Sequence, residues 1–200
     1  MYKVFFNQKP LYLTTTLQKQ TTEFPLFFAK YTSKEFIIKA LKSKKCKGIY
    51  LYHAKEDKLW QHFLRFFPVV VAAGGFVQHK DEKRYLFIYR NDKWDLPKGR
   101  VEKKENIQKA AIREVEEETA VQNVEISGIL PTTFHIFKRN NVYKLKKTFW
   151  YAMRTDFEGT LEPQTEEGIE KAVWKEEKDF EHLFENAYEN IKEVVRYSPS

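Results

Sequence analysis

A run of 23 residues, from Gly99 to Val121, constrains the fold of this chain more than any other segment. It opens with a glycine loop and continues into a helical pattern that carries Glu114, Glu117 and Glu118. At 3.6 residues per turn, these three carboxylates share an arc of roughly 100° on one helix face. Like charges at this spacing repel and weaken a helix. A divalent cation would relieve the repulsion, because hard cations such as Mg²⁺ take carboxylate oxygens as ligands.

The run resembles the Nudix box, the signature of the Nudix hydrolases, which reads G-x5-E-x7-R-E-U-x-E-E-x-G-U with U a bulky aliphatic residue. Eight of the nine specified positions agree: Gly99, Glu105, Arg113, Glu114, Val115, Glu117, Glu118 and Val121. Ala120 departs, since the family has a glycine that closes the helix in a left-handed conformation. Alanine in that conformation costs on the order of 1 kcal/mol. The alternative, a merely solvated acidic helix face, does not explain the glycine, the arginine and the spacing together.

The resemblance implies an α/β (α+β) fold, with a Nudix-type mixed sheet sandwiched between helices in residues 68–200. Residues 1–67 would form a small, basic α+β module before it. The pattern of elements alone indicates only the α+β or α/β class. The resemblance also implies a metal-dependent pyrophosphohydrolase with Mg²⁺ or Mn²⁺ as cofactor. Such an enzyme cleaves the diphosphate bridge of a nucleoside diphosphate linked to another group.

The resemblance assigns roles to the box residues. Glu117 and Glu118 are the principal metal ligands, together with the carbonyl oxygen of Gly99. Glu114 is a further ligand or the general base, and Arg113 orients it. Glu105 is the structural partner of Arg113, for which an ordinary surface ion pair is the alternative. The expected catalytic residues are therefore Arg113, Glu114 and Glu117.

A further metal ligand is expected outside the box. Many Nudix hydrolases place an acidic pair in the loop before a late strand that ends near a tryptophan. Glu166 and Glu167 occupy such a loop before Trp174. We expect Glu167 to be the ligand, and a solvated acidic loop is the alternative.

The lead-in Trp94-Asp95-Leu96-Pro97-Lys98-Gly99 narrows the substrate class. A W-x-L-P-K-G segment is similar to that of hydrolases of diadenosine polyphosphates and of diphosphoinositol polyphosphates. Lys98 and Arg100 are therefore expected to contact phosphate. Lys147 is expected to do so as well, from a basic strand beside the aromatic run 149–151. In the alternative interpretation, Phe149 and Tyr151 alternate into the core.

Charge is distributed unevenly along the chain. Residues 1–67 hold 13 Lys and Arg against 4 Asp and Glu, whereas the remainder holds 22 against 24. Such a basic segment could attract polyphosphate or nucleic acid. The densest lysine run, 42–47, lacks the interleaved aromatic residues of a platform for single strands. We therefore expect a solvated lysine surface and no nucleic-acid partner. The module should instead pack on the second domain or on a second copy of the chain in a homodimer.

Several other classes of site are excluded. Cys46 is the only cysteine, so neither an internal disulfide nor a cysteine-based zinc site can form. The five histidines are dispersed, and His135 alone lies near the expected cleft. No signal peptide is recognised, and the longest apolar run, 68–77, is too short for a bilayer. A cytoplasmic protein without membrane partners is expected.

Two alternatives to an enzyme remain. A non-catalytic Nudix-like nucleotide sensor usually has damaged box carboxylates, and these are intact. A nucleic-acid-binding regulator predicts steeply salt-dependent binding and no turnover of free nucleotides.

The periodicity predicts the secondary structure. The expected strands are 2–7, 11–15, 48–53, 69–77, 84–90, 124–133, 134–138, 143–154 and 171–174. The first two should form a hairpin, and Gly74 and Gly75 indicate close backbone packing or a bulge in 69–77. The expected helices are 33–43 with Ser33 as its N-cap, 56–67, the box helix and 179–195. The apolar side of the helix 56–67 is expected to carry Leu59, Trp60, Phe63, Leu64 and Phe67.

Overall fold

The computed structural model describes residues 1–80 and 82–197, which fall into two compact units. Unit 1 comprises Met1–Val70 and Phe134–Lys147, and unit 2 comprises Val71–Thr133 and Thr148–Ser200. A segment from the middle of the chain therefore clusters with the N-terminal residues. The domain limits 1–67 and 68–200 stay a prediction.

Unit 1 is built on a sheet in the order β10-β9-β1-β2-β4-β3. Its elements are β1 (Tyr2–Phe6), β2 (Lys9–Thr14), β3 (Leu26–Phe28), α1 (Lys34–Lys42), β4 (Ile49–Tyr52), α2 (Glu56–Phe66) and the turn-proximal parts of β9 (Glu125–Arg139) and β10 (Val142–Thr155). The first two strands form the predicted antiparallel hairpin. The β1–β9, β2–β4 and β3–β4 pairs are parallel, so the sheet is mixed.

Both helices of unit 1 pack on one face of its sheet. Ser33 caps α1 by accepting from the Phe36 N–H, as the sequence predicts. On α2, Leu59, Phe63 and the following Phe67 are buried in the same cluster as Ile136 and Leu145. The sequence placed Leu64 on the apolar face of α2, but this side chain is 41% exposed, so the prediction is wrong for Leu64.

Unit 2 is built on a sheet in the order β11-β6-β5-β10-β9, with β7 beside β6 and β8 beside β5. Its other elements are β5 (Val69–His79), β6 (Arg84–Arg90), β7 (Lys93–Asp95), β8 (Lys98–Arg100), α3 (Ile107–Thr119), a 3-10 helix (Thr165–Glu167), β11 (Ile169–Glu176), a second 3-10 helix (Glu177–Asp179), α4 (Phe180–Glu185) and α5 (Glu189–Arg196). β5 pairs antiparallel with β6 and with β8, and β6 pairs antiparallel with β7 and with β11.

Unit 2 has a separate core on each face of its sheet. Helix α3 contributes Ala110 and Val115 to a cluster with Leu86 of β6 and Met153 of β10. Helices α4 and α5 contribute to a second cluster with the neighbouring strand residues Phe87 and Trp150. Since adjacent strand residues point to opposite faces, the sheet is sandwiched between helices as predicted. Phe149 and Tyr151 both pack against the α3 cluster, which confirms the core interpretation of that aromatic run.

The secondary-structure predictions are wrong in two places. The expected helix 179–195 is divided, because the Asn186 side chain donates to the Asp92 carbonyl and the Asn186 carbonyl accepts from the Trp94 N–H. These bonds replace the helical pattern between α4 and α5. The expected strands 124–133 and 134–138 form one strand, β9. Strands β3, β7 and β8 are too short to give a periodic signal.

None of the described helices is long and apolar enough to cross a bilayer.

Candidate active site

Two glycines let the box loop lie against the central strand of unit 2. Strand β8 pairs with β5, with Gly99 opposite Ala73 and Lys98 opposite Gly74. A Cβ on Gly74 would lie 2.8 Å from the Lys98 Cα, a distance that real Cβ contacts essentially never show. This confirms the close backbone packing predicted from the paired glycines of β5. The packing fixes where the loop enters the site.

Helix α3 begins and ends with defined caps. The Asn106 side chain accepts hydrogen bonds from the backbone N–H groups of Gln108 and Lys109. At the other end, Ala120 has φ 58° and ψ 10°, the predicted left-handed conformation. Its N–H donates to the Glu116 carbonyl. Alanine therefore adopts the backbone conformation that favours glycine.

The three box carboxylates of α3 differ in burial. Glu118 is fully buried, Glu114 is 7% exposed, and the Glu117 side chain is half exposed. A Cβ added at Gly99 would overlap the Glu114 carboxylate. Gly99 therefore leaves room for that carboxylate to lie directly on the loop backbone, beside the Gly99 carbonyl that was predicted to join the metal ligands.

Arg113 ties the carboxylates of the box together. Its Nε and Nη2 donate to the two oxygens of Glu105 at 2.8 and 2.9 Å. Its Nη1 donates to Glu114 at 2.9 Å and to Glu117 at 2.8 Å. The hydrogen bonds to Glu105 are the main cause that raises the pKa of Arg113. The predicted Arg113–Glu105 pair is therefore a two-pronged clamp that extends to two further carboxylates.

Glu118 is held by the loop and by a cation. One oxygen accepts from the Lys98 backbone N–H at 2.7 Å, and the other accepts from Arg90 Nη1 at 3.3 Å. Burial raises the pKa of Glu118 to about 7, although Lys98 and Arg90 act in the opposite direction. Burial also raises the pKa of Glu114. A bound cation would stabilise the ionised form of both carboxylates, because it compensates their buried charge.

A buried ion cluster lies behind Glu118. Lys98 Nζ donates to Asp95 Oδ2 at 2.6 Å and to the Leu96 carbonyl at 3.2 Å. Arg90 Nε lies 3.6 Å from the same Asp95 oxygen. Burial alone would raise the pKa of Asp95, but Lys98 and Arg90 outweigh it and hold that pKa below its usual range. Burial and Arg90 lower the pKa of Lys98.

The cluster contains both a predicted residue and two that were missed. Lys98, which we expected to contact phosphate, is 6% exposed and directs its ammonium to Asp95. Arg90 and Asp95 were not singled out, because a charge at a strand end or beside a tryptophan is usually on the surface. The signal that could have found Asp95 is its place between two large apolar residues, Trp94 and Leu96.

The loop that carries Glu167 is fastened to the end of α3. The Glu162 and Gln164 N–H groups donate to the Thr119 and Glu118 carbonyls at 2.9 and 3.1 Å. The 3-10 helix then ends at Gly168, where φ is 75°. Glu167 lines the same cleft as Glu114 and Glu117, which has a volume of about 530 Å³.

Cations line this cleft beside the carboxylates. Arg100 and Lys103 are exposed and share it with Arg113. Arg100 is thus where a substrate phosphate could reach it. Lys147 lies in β10 within unit 1, and its predicted substrate contact stays a prediction.

The donors of the cleft suit a hard divalent cation. Among the described residues, no three His, Cys, Asp or Glu side chains are already gathered in a geometry that could hold an ion. Arg113 instead bridges Glu114 and Glu117. The available ligands, which are the carboxylates of the cleft and the buried Glu118, are nevertheless all oxygens, and Gly99 opens the backbone to Glu114. Mg²⁺ and Mn²⁺ accept such a set.

Comparisons with known proteins show the family and the fold of this chain. Residues 68–197 match the family model described as NUDIX domain. The fold resembles a Caenorhabditis elegans Ap4A hydrolase in a binary complex, with 22% identity, a TM-score of 0.52, and coverage of 64% of this chain and 93% of that one. It also resembles a Nudix hydrolase from Nitrosomonas europaea, with 20% identity, a TM-score of 0.50, and coverage of 64% and 86%. At these identities the structural likeness concerns the fold alone.

The family match spans well over half of the chain, so this protein belongs to the Nudix family. It is a hydrolase that acts on pyrophosphate bonds, and its mixed sheet between helices is the fold of that family.

Proposed function

We propose that this protein hydrolyses the diphosphate bridge of a nucleotide or dinucleotide polyphosphate in a reaction that requires Mg²⁺ or Mn²⁺. The observation that carries the proposal is the carboxylate set of α3. Glu114 and Glu118 are buried, Glu117 faces solvent, and Glu114 and Glu117 line one cleft with Arg100 and Lys103. Nothing in the packing of a solvated helix requires two buried carboxylates at this spacing.

Glu117, Glu118 and the Gly99 carbonyl oxygen would hold the metal, with Glu167 as a further ligand. A bound divalent ion would polarise the phosphoryl oxygens and lower the pKa of water. Arg113 would have to release Glu117 or Glu114 to make room, because its Nη1 now bridges them. Glu105 would keep the guanidinium in place through its two other hydrogen bonds.

Glu114 is the general base in this proposal. One of its oxygens accepts from Arg113, and the carboxylate lies against Gly99, so its orientation is fixed from two sides. Partial burial raises its pKa, which makes its ionised form a stronger base. It would accept the proton of the water that attacks phosphorus. Arg113 acts as its positioning residue.

The basic residues in and near the lead-in would have different roles, some contacting phosphate and one stabilising the site. Arg100 is exposed at the cleft and is our candidate for a phosphate contact. Lys147 stays a second candidate on the sequence resemblance alone. Lys98 was expected to serve in the same way, but its ammonium is paired with buried Asp95. We assign Lys98 to holding Glu118 through its backbone N–H and to neutralising Asp95.

The test is a phosphate-release screen with Mg²⁺ or Mn²⁺. Its panel contains nucleoside triphosphates, diadenosine polyphosphates, ADP-ribose, sugar nucleotides and diphosphoinositol polyphosphates. Reaction in ¹⁸O-labelled water identifies the phosphorus that is attacked, because the label stays with that phosphoryl group. The expected result is turnover of at least one nucleotide or dinucleotide polyphosphate that stops when the metal is chelated.

Glu117→Gln and Glu116→Gln form a matched pair of variants. Both remove one carboxylate from α3, but Glu116 is not among the residues that line the site cleft. Glu117→Gln should lower turnover by several orders of magnitude, and Glu116→Gln should leave it within a few-fold. Tight nucleotide binding without turnover of any substrate would instead support the sensor alternative. Near-normal turnover by Glu117→Gln at saturating Mg²⁺ would contradict the metal assignment.

A further inference from the structure

The sheet of unit 1 has one core face and one aromatic face. Alternate residues of its strands, such as Val4, Leu13 and Leu51, are buried in the core beneath α1 and α2. Their neighbours therefore point to the opposite side. On β2, β4 and β3 these neighbours include Tyr12, Tyr50, Tyr52 and Phe28. We call these four residues the aromatic face.

The rings of the aromatic face contact one another and remain accessible. Tyr12 and Tyr50 are opposite each other in the β2–β4 register and stack with ring centroids 5.5 Å apart. Phe28 and Tyr52 meet edge to face at 5.5 Å. The three tyrosines are partly exposed, and Phe28 is 46% exposed. The rings therefore form a row on the face of the sheet that α1 and α2 do not cover.

A groove continues this row at the sheet edge. It has a volume of about 190 Å³ and is lined by Phe28, Lys30, Tyr31, Tyr52, His53 and Ala54. Tyr31 is 79% exposed, and Lys30 Nζ lies 5.4 Å from the centroid of its ring. A flat ring and a cation thus lie side by side at the end of the row.

Unit 1 also carries a large positive charge. Its residues hold 18 Lys and Arg against 4 Asp and Glu, a formal charge of +14, whereas those of unit 2 hold 17 against 24, a charge of −7. Segment 134–147 adds five cations and no acid to the N-terminal residues. A polyanion would be attracted to unit 1 over distances limited by ionic screening.

We propose that the aromatic face of unit 1 binds single-stranded nucleic acid. Unpaired bases would stack on Tyr12, Tyr50 and Phe28 and, in the adjoining groove, on Tyr31. The phosphates would lie near lysines such as Lys30. Base stacking on aromatic side chains and a basic surface that follows the backbone are the two features that such binding needs. The earlier expectation of no nucleic-acid partner was based on the lysine run 42–47, which carries no interleaved rings. Strands β2, β3 and β4 supply those rings from three separate parts of the chain.

Two other occupants fit the face less well. A duplex keeps its bases paired and stacked, so its backbone would meet the lysines while the rings found no free base. A second copy of this chain that docked through the same face would bring its own unit 1, with a charge of +14, onto the first, and that repulsion opposes association. The charge therefore favours a polyanion, and the rings favour an unpaired one.

Fluorescence anisotropy tests this with labelled oligonucleotides of about 12 nucleotides, within the ~4–16 nucleotides that such a surface covers. Mixed-sequence RNA, DNA of the same sequence and the corresponding duplex are compared over a range of salt. At least one single strand should bind more tightly than the duplex. Its affinity should fall with salt as expected for about three or more phosphate contacts. The RNA and DNA arms show which sugar is preferred.

Four variants separate stacking from charge and from folding. Tyr31→Ala and Tyr50→Ala should each weaken binding at least about five-fold, because each removes a ring for one base. Tyr50→Phe keeps the ring and should bind nearly as the parent does. Phe36→Ala is the matched control, since Phe36 is 62% exposed on α1 and lies away from the sheet. It should leave binding unchanged.

Three results would overturn the proposal: equal affinity for single strand and duplex, no loss in either alanine variant, or an equal loss in Phe36→Ala. Tyr31 is so exposed that its replacement leaves the fold intact, which keeps the test valid if Tyr50→Ala fails to fold. Binding is also measured with Glu117→Gln, which should bind as the parent does. A negative result for nucleic-acid binding would therefore not contradict the proposed hydrolytic activity.

Discussion

The cations behind the active site of unit 2 and the lysines of unit 1 are held in opposite ways. In unit 2, Lys98 and Arg90 are drawn inward to Asp95 and Glu118, and together these four groups form a nearly neutral buried cluster. In unit 1, lysines such as Lys42, Lys44 and Lys45 stay exposed. A buried charge must have a partner, so it fixes geometry, whereas an exposed one sets only a field. The buried cluster therefore fixes the geometry around Glu118 in unit 2, whereas the exposed lysines give unit 1 a positive field.

The largest expected effect comes from removing residues 1–67. In unit 1, Ile136 and Leu145 are buried with Val4, Leu11 and Phe63, so the fragment 68–200 would keep a hairpin whose apolar side has lost its cover. Such a patch promotes association. We expect the fragment to aggregate or to lose most turnover, as measured by size-exclusion chromatography and the phosphate-release assay.

Co-expression of residues 1–67 with the fragment is the control, and it should restore solubility. A monomeric fragment with full activity on the same substrate would show that the N-terminal residues are an independent appendage.

The second prediction concerns charge buried in unit 2. Glu118→Gln keeps the shape of the side chain but removes the charge that Arg90 and the Lys98 N–H now contact. Turnover should fall on the order of 10³-fold, because a charged group at the reacting centre is lost. Steady-state kinetics with saturating metal measure the loss, and Glu116→Gln is the control. A fall in turnover of less than ten-fold would mean that Glu118 is not part of the active site.

The third prediction tests the buried cluster through stability. Lys98→Met leaves Asp95 buried without its nearest cation, and breaking such a pair costs about 3–5 kcal/mol. Lys109→Met changes an exposed lysine of α3 and should stay within about 0.5 kcal/mol. Urea unfolding compares the two. Similar losses in both variants would show that the cluster does not stabilise unit 2.

The sequence was sufficient to predict those features whose residues lie at a fixed spacing within one helix or strand. Glu114, Glu117 and Glu118 lie on a single helix, so their common face could be predicted from the helical period. The left-handed conformation of Ala120 was expected because the Nudix box, which this segment resembles, has a glycine at that position. Sequence reasoning missed Arg90 and Asp95, because their contacts with Lys98 and Glu118 join elements that are far apart in the chain.

The aromatic face of unit 1 was missed for a related reason. Tyr12, Tyr50 and Phe28 come from three strands, and alternating apolar residues look the same whether they face a core or a ligand. The parallel pairing of β2, β4 and β3 that aligns them is a tertiary property. Segment 134–147 likewise gave no local sign that it belongs with unit 1.

The fourth prediction is a pH dependence of the metal-free protein. Burial raises the pKa of Glu118 from 4.5 to about 7. A raised carboxyl pKa means that the folded state binds the proton more tightly. Its stabilising contribution is therefore complete below about pH 4.5 and is lost as the pH rises through about 7. The free energy of unfolding should fall by about 2–3 kcal/mol between pH 5 and pH 8.

Urea unfolding in a chelator measures this slope, and Glu118→Gln is the comparison because it cannot titrate. The difference between the two proteins isolates Glu118 from Asp95, whose lowered pKa acts at more acidic pH. Saturating Mg²⁺ should flatten the slope. A parent whose stability relative to Glu118→Gln rises with pH would contradict the buried, protonated state.

The smallest expected effect concerns the end of α3, where unit 2 departs from the family pattern. Ala120 has φ 58°, a conformation in which its Cβ is crowded and glycine is not. Ala120→Gly should therefore stabilise the protein by roughly 1 kcal/mol, less the extra backbone entropy that glycine gives the unfolded chain. Ala110→Gly is the matched control, since Ala110 lies inside the helix, where the same change should destabilise by about 1 kcal/mol or more. Thermal unfolding should thus move in opposite directions for the two variants, with turnover of Ala120→Gly within a few-fold of the parent. Equal destabilisation by both changes would mean that Ala120 bears no strain, and that the box tolerates alanine here without cost.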